Sequence, residues 1–144
     1  MKLSTKSRYG ARALVEIARH SGSLPIKRKD IVENQGIPDS YLENILISLK
    51  NADLIQTVRG AKGGYTLSRA ASDISLLDVV EALEGAIRLV DCEKAGERCE
   101  RWNTCGTREF WQEMEEAQRT VLRRHTIGSL VGKLEAGYTL DWVI

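Results

Sequence analysis

The chain has 144 residues, of which 42% are hydrophobic and 28% charged, with a formal net charge of +1. This length and composition suit one soluble globular core, or a small domain with an appendage. Its most apolar run, ISLLDVVEAL, is broken by Asp78 and Glu81 and is far too short to cross a bilayer, and MKLSTKSRYGARAL lacks a signal-peptide core, so a cytoplasmic protein with reduced thiols and no membrane partner is expected.

Helical periodicity starts at once. Tyr9, Ala13, Leu14, Ile17 and Ala18 share one face of a first helix, while Lys6, Arg8, Arg12, Glu16 and Arg19 lie largely away from it. SGSLP ends that helix. IKRKDIVENQG fits a short second helix, with Ile26, Ile31 and Val32 apolar and Gly36 as its stop. In IPDSYLENILISLKNADLI, the residues Leu42, Ile45, Leu46 and Leu49 follow the helical spacing rule, and Pro38 is acceptable in a first turn. Two short helices separated by the turn at Gly36 make a helix-turn-helix pattern. IQTVRGAKGGYTLSR then sets apolar or β-branched residues on both sides of a tip running from Gly60 to Gly64, with Arg59 and Lys62 beside it; this predicts a β-hairpin. A helix-turn-helix followed by a basic hairpin describes a winged helix over about residues 1–69.

ISLLDVVEALEG predicts an amphipathic helix ending at Gly85, its Leu76, Leu77, Val79, Val80 and Leu83 directed at the winged-helix core. A charged, loop-like segment follows and holds every cysteine in the chain: Cys92, Cys99 and Cys105. REFWQEMEEAQRTVLRRH reads as a longer helix with Phe110, Met114, Ala117 and Val121 spaced by four, three and four, and with Trp111, Leu122 and His125 widening the stripe. One such helix cannot bury this seam alone, and pairing with a second copy is favoured over folding back. TIGSLVGKL forms a short terminal helix. The expected fold is mainly α with a small β-hairpin wing. Its parts are a winged helix-turn-helix with packing helix (1–85), a cysteine-bearing loop (86–106), and a dimerisation helix with C-terminal segment (107–144).

The near-neutral total hides a division. Residues 1–69 carry twelve Lys/Arg against six Asp/Glu, and residues 70–144 carry nine against fourteen. The basic first half suits an anionic partner, and on charge alone it equally suits a plain solvated surface. On the third helix, the face opposite the leucines carries Ser40, Tyr41, Glu43, Asn44 and Lys50. Ser bonds to either kind of base edge, Asn prefers adenine, and Glu accepts from cytosine N4. The competing reading is that Ser40 and Glu43 form a capping box, which needs no DNA. Arg59, at a hairpin tip with glycines on both flanks, suits a narrow minor groove. Lys2, Lys6, Arg8, Arg12, Lys27, Arg28 and Lys29 are candidates for contact with phosphates, and Lys62 joins Arg59 as a DNA-binding candidate of the wing.

These features resemble a known family. MKLSTKSRYGARAL, SYLENIL, VRGAKGGYTLSR and the three cysteines ahead of a long helix look like the IscR/NsrR-type winged-helix transcription regulators, over about residues 1–135. The resemblance implies a homodimer whose long helices cross and which binds double-stranded promoter DNA at a palindromic operator. It implies base reading by Ser40, Glu43 and Asn44 and a minor-groove role for Arg59. It also implies that Cys92, Cys99 and Cys105 ligate an iron–sulphur cluster in control of cluster biogenesis, with 2Fe-2S the expected form and the nuclearity left open. Lys94, Arg98 and Arg101 would favour thiolates and a negatively charged cluster. The fourth ligand stays open. Arg108 stands where one branch has a histidine and Arg8 where another has an acid, leaving Glu97, Glu109, His125 or an exogenous group.

Other readings share the residues. Three Cys plus one further ligand would also suit zinc, and two thiols could pair in a metal-free redox switch. The chain could equally respond to nitric oxide, or sense through a partner such as a cysteine-biosynthesis enzyme. Enzyme chemistry has little basis. Cys99 as nucleophile would need a base, only His20 and His125 exist, both inside predicted helices, and GAKGG lacks the spacing of a phosphate loop.

Overall fold

The computed structural model describes residues 3–94 and 97–138. Helix α1 (Thr5–Arg19) is capped by Ser4, whose side chain accepts from the Ser7 N–H at 3.3 Å. Helix α2 (Arg28–Gln35) stops at Gly36, and α3 (Asp39–Asn51) starts from Pro38. No side-chain cap forms there, so Ser40 is a first-turn residue and the capping-box alternative is not realised.

Strands β1 (Ile55–Val58) and β2 (Gly64–Leu67) pair antiparallel, in register from Ile55 with Leu67 to Val58 with Gly64. They form the expected wing. Ile26 departs from the expectation that it sits in the second helix: it exchanges backbone hydrogen bonds with Tyr65 at 3.1 and 2.8 Å and extends the sheet past β2. That pairing holds Ile26 out of the helix, and Lys27, in extended backbone at φ −80° and ψ 150°, is the cap after which the helix starts. A Cβ at residue 64 would strike the Ile26 carbonyl, which makes Gly64 a requirement of this pairing.

Helix α4 (Leu76–Glu84) opens with a capping box of Ser75 and Asp78. The expected cysteine loop contains a small hairpin, β3 (Glu93–Lys94) with β4 (Glu97–Arg98). Helix α5 (Arg108–Arg124) follows, and α6 (Ile127–Glu135) opens with its own capping box of Thr126 and Ser129. The two capped starts are tied together: the Leu76 N–H donates to the His125 carbonyl and the Ile127 N–H to the Ile74 carbonyl, both at 2.8 Å. The chain therefore returns after α5, and α6 buries Ile127 and Leu130 in the main core.

That core is built around α1, which touches α2, α3, α4 and α6. Ala13, Leu14, Val15 and Ile17 meet Ile31, Leu42, Ile45, Leu46, Leu49, Ile74 and Val79 there. Leu77, Val80 and Ile87 form a second cluster, with Leu3 and Leu122 against it. Glu16 corrects the simple amphipathic picture. It is 1% exposed, and its carboxylate accepts from the amides of Asn34 and Gln35, both at 2.8 Å, while Arg19 lies 3.3 Å away. Enclosure of α1 on several sides buries a residue its apolar stripe would leave out, and the amides at the end of α2 supply the hydrogen bonds that burial demands. No helix among the described residues is long and apolar enough to cross a membrane.

Glu84 fastens the end of α4 to the start of α1. It accepts from the Ser4 N–H at 3.2 Å, from the Ser4 hydroxyl at 2.8 Å and from the Ser7 hydroxyl. Partial desolvation pushes its carboxyl up, but the bonds from Ser7 and Ser4 and the nearby Lys6 outweigh it and hold the group below its ordinary value. A depressed folded value contributes stability above the unfolded value of about 4.3, and that contribution is lost as pH falls through the folded one. Glu84→Gln should therefore be less stable than wild type at neutral pH, with the gap closing in acid. Urea denaturation at a series of pH values measures it.

Candidate nucleic-acid interface and cysteine loop

Helix α3 has two opposed faces. Leu42, Ile45, Leu46 and Leu49 are buried, and Ser40, Glu43, Asn44 and Lys50 are exposed. Ile47 stands in the same exposed row, 53% accessible, three residues beyond Asn44. Sequence reasoning passed over it, because an apolar residue on a helix is read first as core. Its place at helical spacing from Ser40, Glu43 and Asn44 was the available signal, and an apolar side chain there suits a thymine methyl group. Tyr41 is turned toward α1, its ring edge-on to Tyr9 at 5.7 Å between centroids. Arg59 and Lys62 are exposed at the wing tip, where Gly60 takes φ 110°.

The basic residues divide by what they hold. Lys27 and Lys29 are exposed near the start of α2. Lys6 donates to the Leu83 carbonyl at 3.0 Å, Arg8 to the Thr5 hydroxyl at 3.0 Å, and Arg12 to Gln35 at 3.2 Å. Arg28 is engaged by Asp39 and Glu43 of α3, each with an N–O distance of 2.9 Å, and the Asp39 charge foremost holds its guanidinium above the ordinary value. Lys2 lies outside the described residues, as do the side chains of Lys94 and Glu97.

In the cysteine segment the Cys99 N–H donates to the Cys92 carbonyl at 2.8 Å, continuing the β3–β4 ladder. Cys92 and Cys99 are thus cross-strand neighbours. Cys105 lies just before α5, its Sγ 3.4 Å from the Thr107 hydroxyl. That hydrogen bond, followed by the Thr107 backbone N–H, lowers its thiol below the ordinary value. The Arg108 guanidinium stacks over Trp102, 5.0 Å from the ring centroid, and donates to the Trp102 carbonyl. Among the described residues no three His, Cys, Asp or Glu side chains converge as a metal site. The thiols fit an iron–sulphur cluster as a donor set; Cys92 and Cys99 lie on paired backbone, and the three do not converge on one point. His125 follows the last of seventeen helical residues in α5, about 25 Å along the axis from the cysteine end, and cannot complete a site in its own chain. His20 and His125 occupy C-cap positions, at helix ends and not inside helices.

Helix α5 has no buried residue. Trp111 and Leu122 are half-covered, while Phe110, Met114 and Val121 are 53%, 41% and 49% exposed. The last two line an open apolar groove with Leu3, Ala117 and Leu122.

A family model described as Rrf2, iron-dependent transcriptional regulator, matches residues 3–133. Protein rrf2 of Nitratidesulfovibrio vulgaris strain Hildenborough is 41% identical over 131 residues, covering 91% of this chain and 87% of that protein. The solved T. potens IscR superposes with a TM-score of 0.78 at 31% identity, covering 96% of this chain and 92% of that one. CymR, described as the global cysteine regulator of B. subtilis, gives 0.75 at 32% identity, covering 92% and 98%. An IscR-like sequence folded as a helix-turn-helix with a wing is a DNA-binding transcription regulator and not an enzyme, and the chain belongs to the Rrf2 family.

Proposed function

We propose that this regulator is a homodimeric repressor of a palindromic operator, and that a 2Fe-2S cluster on Cys92, Cys99 and Cys105 controls its grip, in service of iron–sulphur biogenesis. The observation that carries the reading is positional. All three thiols lie in fourteen residues that run directly into α5, the helix with the uncovered apolar stripe. A group that drew the three thiols together would move the segment leading into α5, where Cys105 stands three residues before that helix starts. The iron-dependent description of the family model and the IscR likeness support the metal.

In this reading Ser40, Glu43, Asn44 and Ile47 meet base edges in the major groove, Arg59 enters the minor groove, and Lys2, Lys27, Lys29 and Lys62 neutralise phosphates. Tyr41, set against Tyr9, seats α3 on α1. Arg101 and Arg108 offset the negative charge of three thiolates. When bound, a cluster would supply a crosslink sensitive to iron supply and oxidants.

Protein purified without air should contain iron and acid-labile sulphide in equal amounts. Replacing any one of Cys92, Cys99 or Cys105 with Ala should bring both to background while circular dichroism shows a folded protein. Full iron and sulphide in all three variants would remove the cysteines from the site, and zinc without sulphide would replace the cluster. Adjacency of Cys92 and Cys99 favours a second reading, a metal-free thiol regulator akin to the cysteine regulator CymR. It requires colourless protein with three titratable thiols and operator binding that follows their oxidation.

A further inference from the structure

Arg28, the first residue of α2, reaches across the turn to two carboxylates of α3. Its Nε lies 2.9 Å from Asp39 Oδ1, its Nη2 donates to Asp39 Oδ2 at 3.2 Å, and its Nη1 lies 2.9 Å from Glu43 Oε1. Asp39 and Glu43 are four residues apart, so they stand one above the other on the helix surface. All three side chains are partly exposed, and ion pairs of that kind add little to stability. What the arrangement does is hold Glu43. One of its oxygens is occupied, its direction is set, and its charge is partly cancelled, on the face that carries Ser40 and Asn44.

We propose that Arg28 is a positioning residue for base selection, setting how sharply Glu43 discriminates among bases. The inference rests on the reading that the exposed face of α3 enters the major groove. A carboxylate there accepts from the amino group of cytosine or adenine and is repelled by O6 and N7 of guanine and O4 of thymine. Repulsion is itself a source of specificity, and neutralising the repelling charge relaxes it. With Arg28 in place, the three side chains carry one net negative charge; without it, Asp39 and Glu43 present two. Arg28 thereby widens the range of operators that one recognition helix accepts. A lysine would return the charge without the fork that engages two carboxylates at once.

The test compares wild type with Arg28→Ala, Arg28→Lys, Glu43→Ala and the Arg28→Ala/Glu43→Ala double variant. Each is used to select from a duplex pool with a randomised core, then titrated with the recovered duplexes. Arg28→Ala should bind more weakly overall and show one sharpened position per half-site, its preference for an amino-bearing base increased roughly tenfold. The lysine variant should fall between, and the double variant should share the profile of Glu43→Ala. A uniform loss on every duplex, with the salt dependence shallower by about one, would make Arg28 a plain phosphate contact and overturn the inference. Should Glu43→Ala leave base preference unchanged, the groove-reading role of α3 falls and the inference with it. An effect of Glu43→Ala with none from Arg28→Ala sinks the inference alone.

Discussion

Replacing Met114 with glutamate is expected to leave a folded monomer that binds a two-half-site operator roughly 100- to 10,000-fold more weakly, the range by which joining two binding heads raises avidity. Met114 lies in the middle of the uncovered stripe, with Phe110 one turn before it and Val121 two turns after. Leu122 is the member of the stripe that packs on the chain's own second cluster, whereas Met114 is 41% exposed, so the substitution should cost little within one subunit. Against a second α5 it would place an unpaired carboxylate in an apolar seam, a cost far above what one buried methionine contributes. Sedimentation velocity reads the association state directly. Titration against a duplex with a single half-site is the control: affinity there should be unchanged, because α3 and the wing are untouched. A dimer that persists through both Met114→Glu and Val121→Glu would move the interface elsewhere.

Such a prediction was open to the sequence because the apolar spacing of α5 is wider than one neighbour covers: Leu122 packs against α4, while Phe110, Met114 and Val121 stay exposed. The wing was open too, since the glycines at its tip and the basic residues beside them occur in a short alternating stretch. Glu16 was not. Periodicity reports one face of a helix, and only the packing of α2, α3, α4 and α6 around α1 reveals that several faces are covered. Ile26 belongs to a strand position that exists only because β2 lies beside it, a pairing 39 residues away in sequence. The β3–β4 hairpin has two residues per strand, too few for alternation to register. The cysteines divide the same way. Their order along the chain says that one loop carries three thiols, whereas the adjacency of Cys92 and Cys99 depends on backbone pairing that no spacing rule contains.

Leu46→Ala is expected to cost about 2–5 kcal/mol of folding stability, the range for truncating a fully buried leucine. Leu46 is 2% exposed and sits between Leu42, Ile45 and Leu49, which together bind α3 to α1 and the base of the wing. The opposite face of α3 is held only by the partly exposed Arg28 pairs to Asp39 and Glu43, so these leucines carry most of its packing, and truncation leaves a cavity that the neighbouring side chains must partly fill. Ile47→Ala, one residue on, removes as large an aliphatic group from a position already in solvent and should change stability by no more than about 0.5 kcal/mol. The two variants should separate again in DNA binding. Leu46→Ala lowers the population of folded protein without altering a group that could face a base, so its base preference, measured well below its melting temperature, should match wild type. Ile47→Ala should keep the melting temperature and lose discrimination for thymine at one position. Equal stability losses from both would mean that Ile47 is covered in the functional protein, and that the face assigned to DNA is an interface between chains.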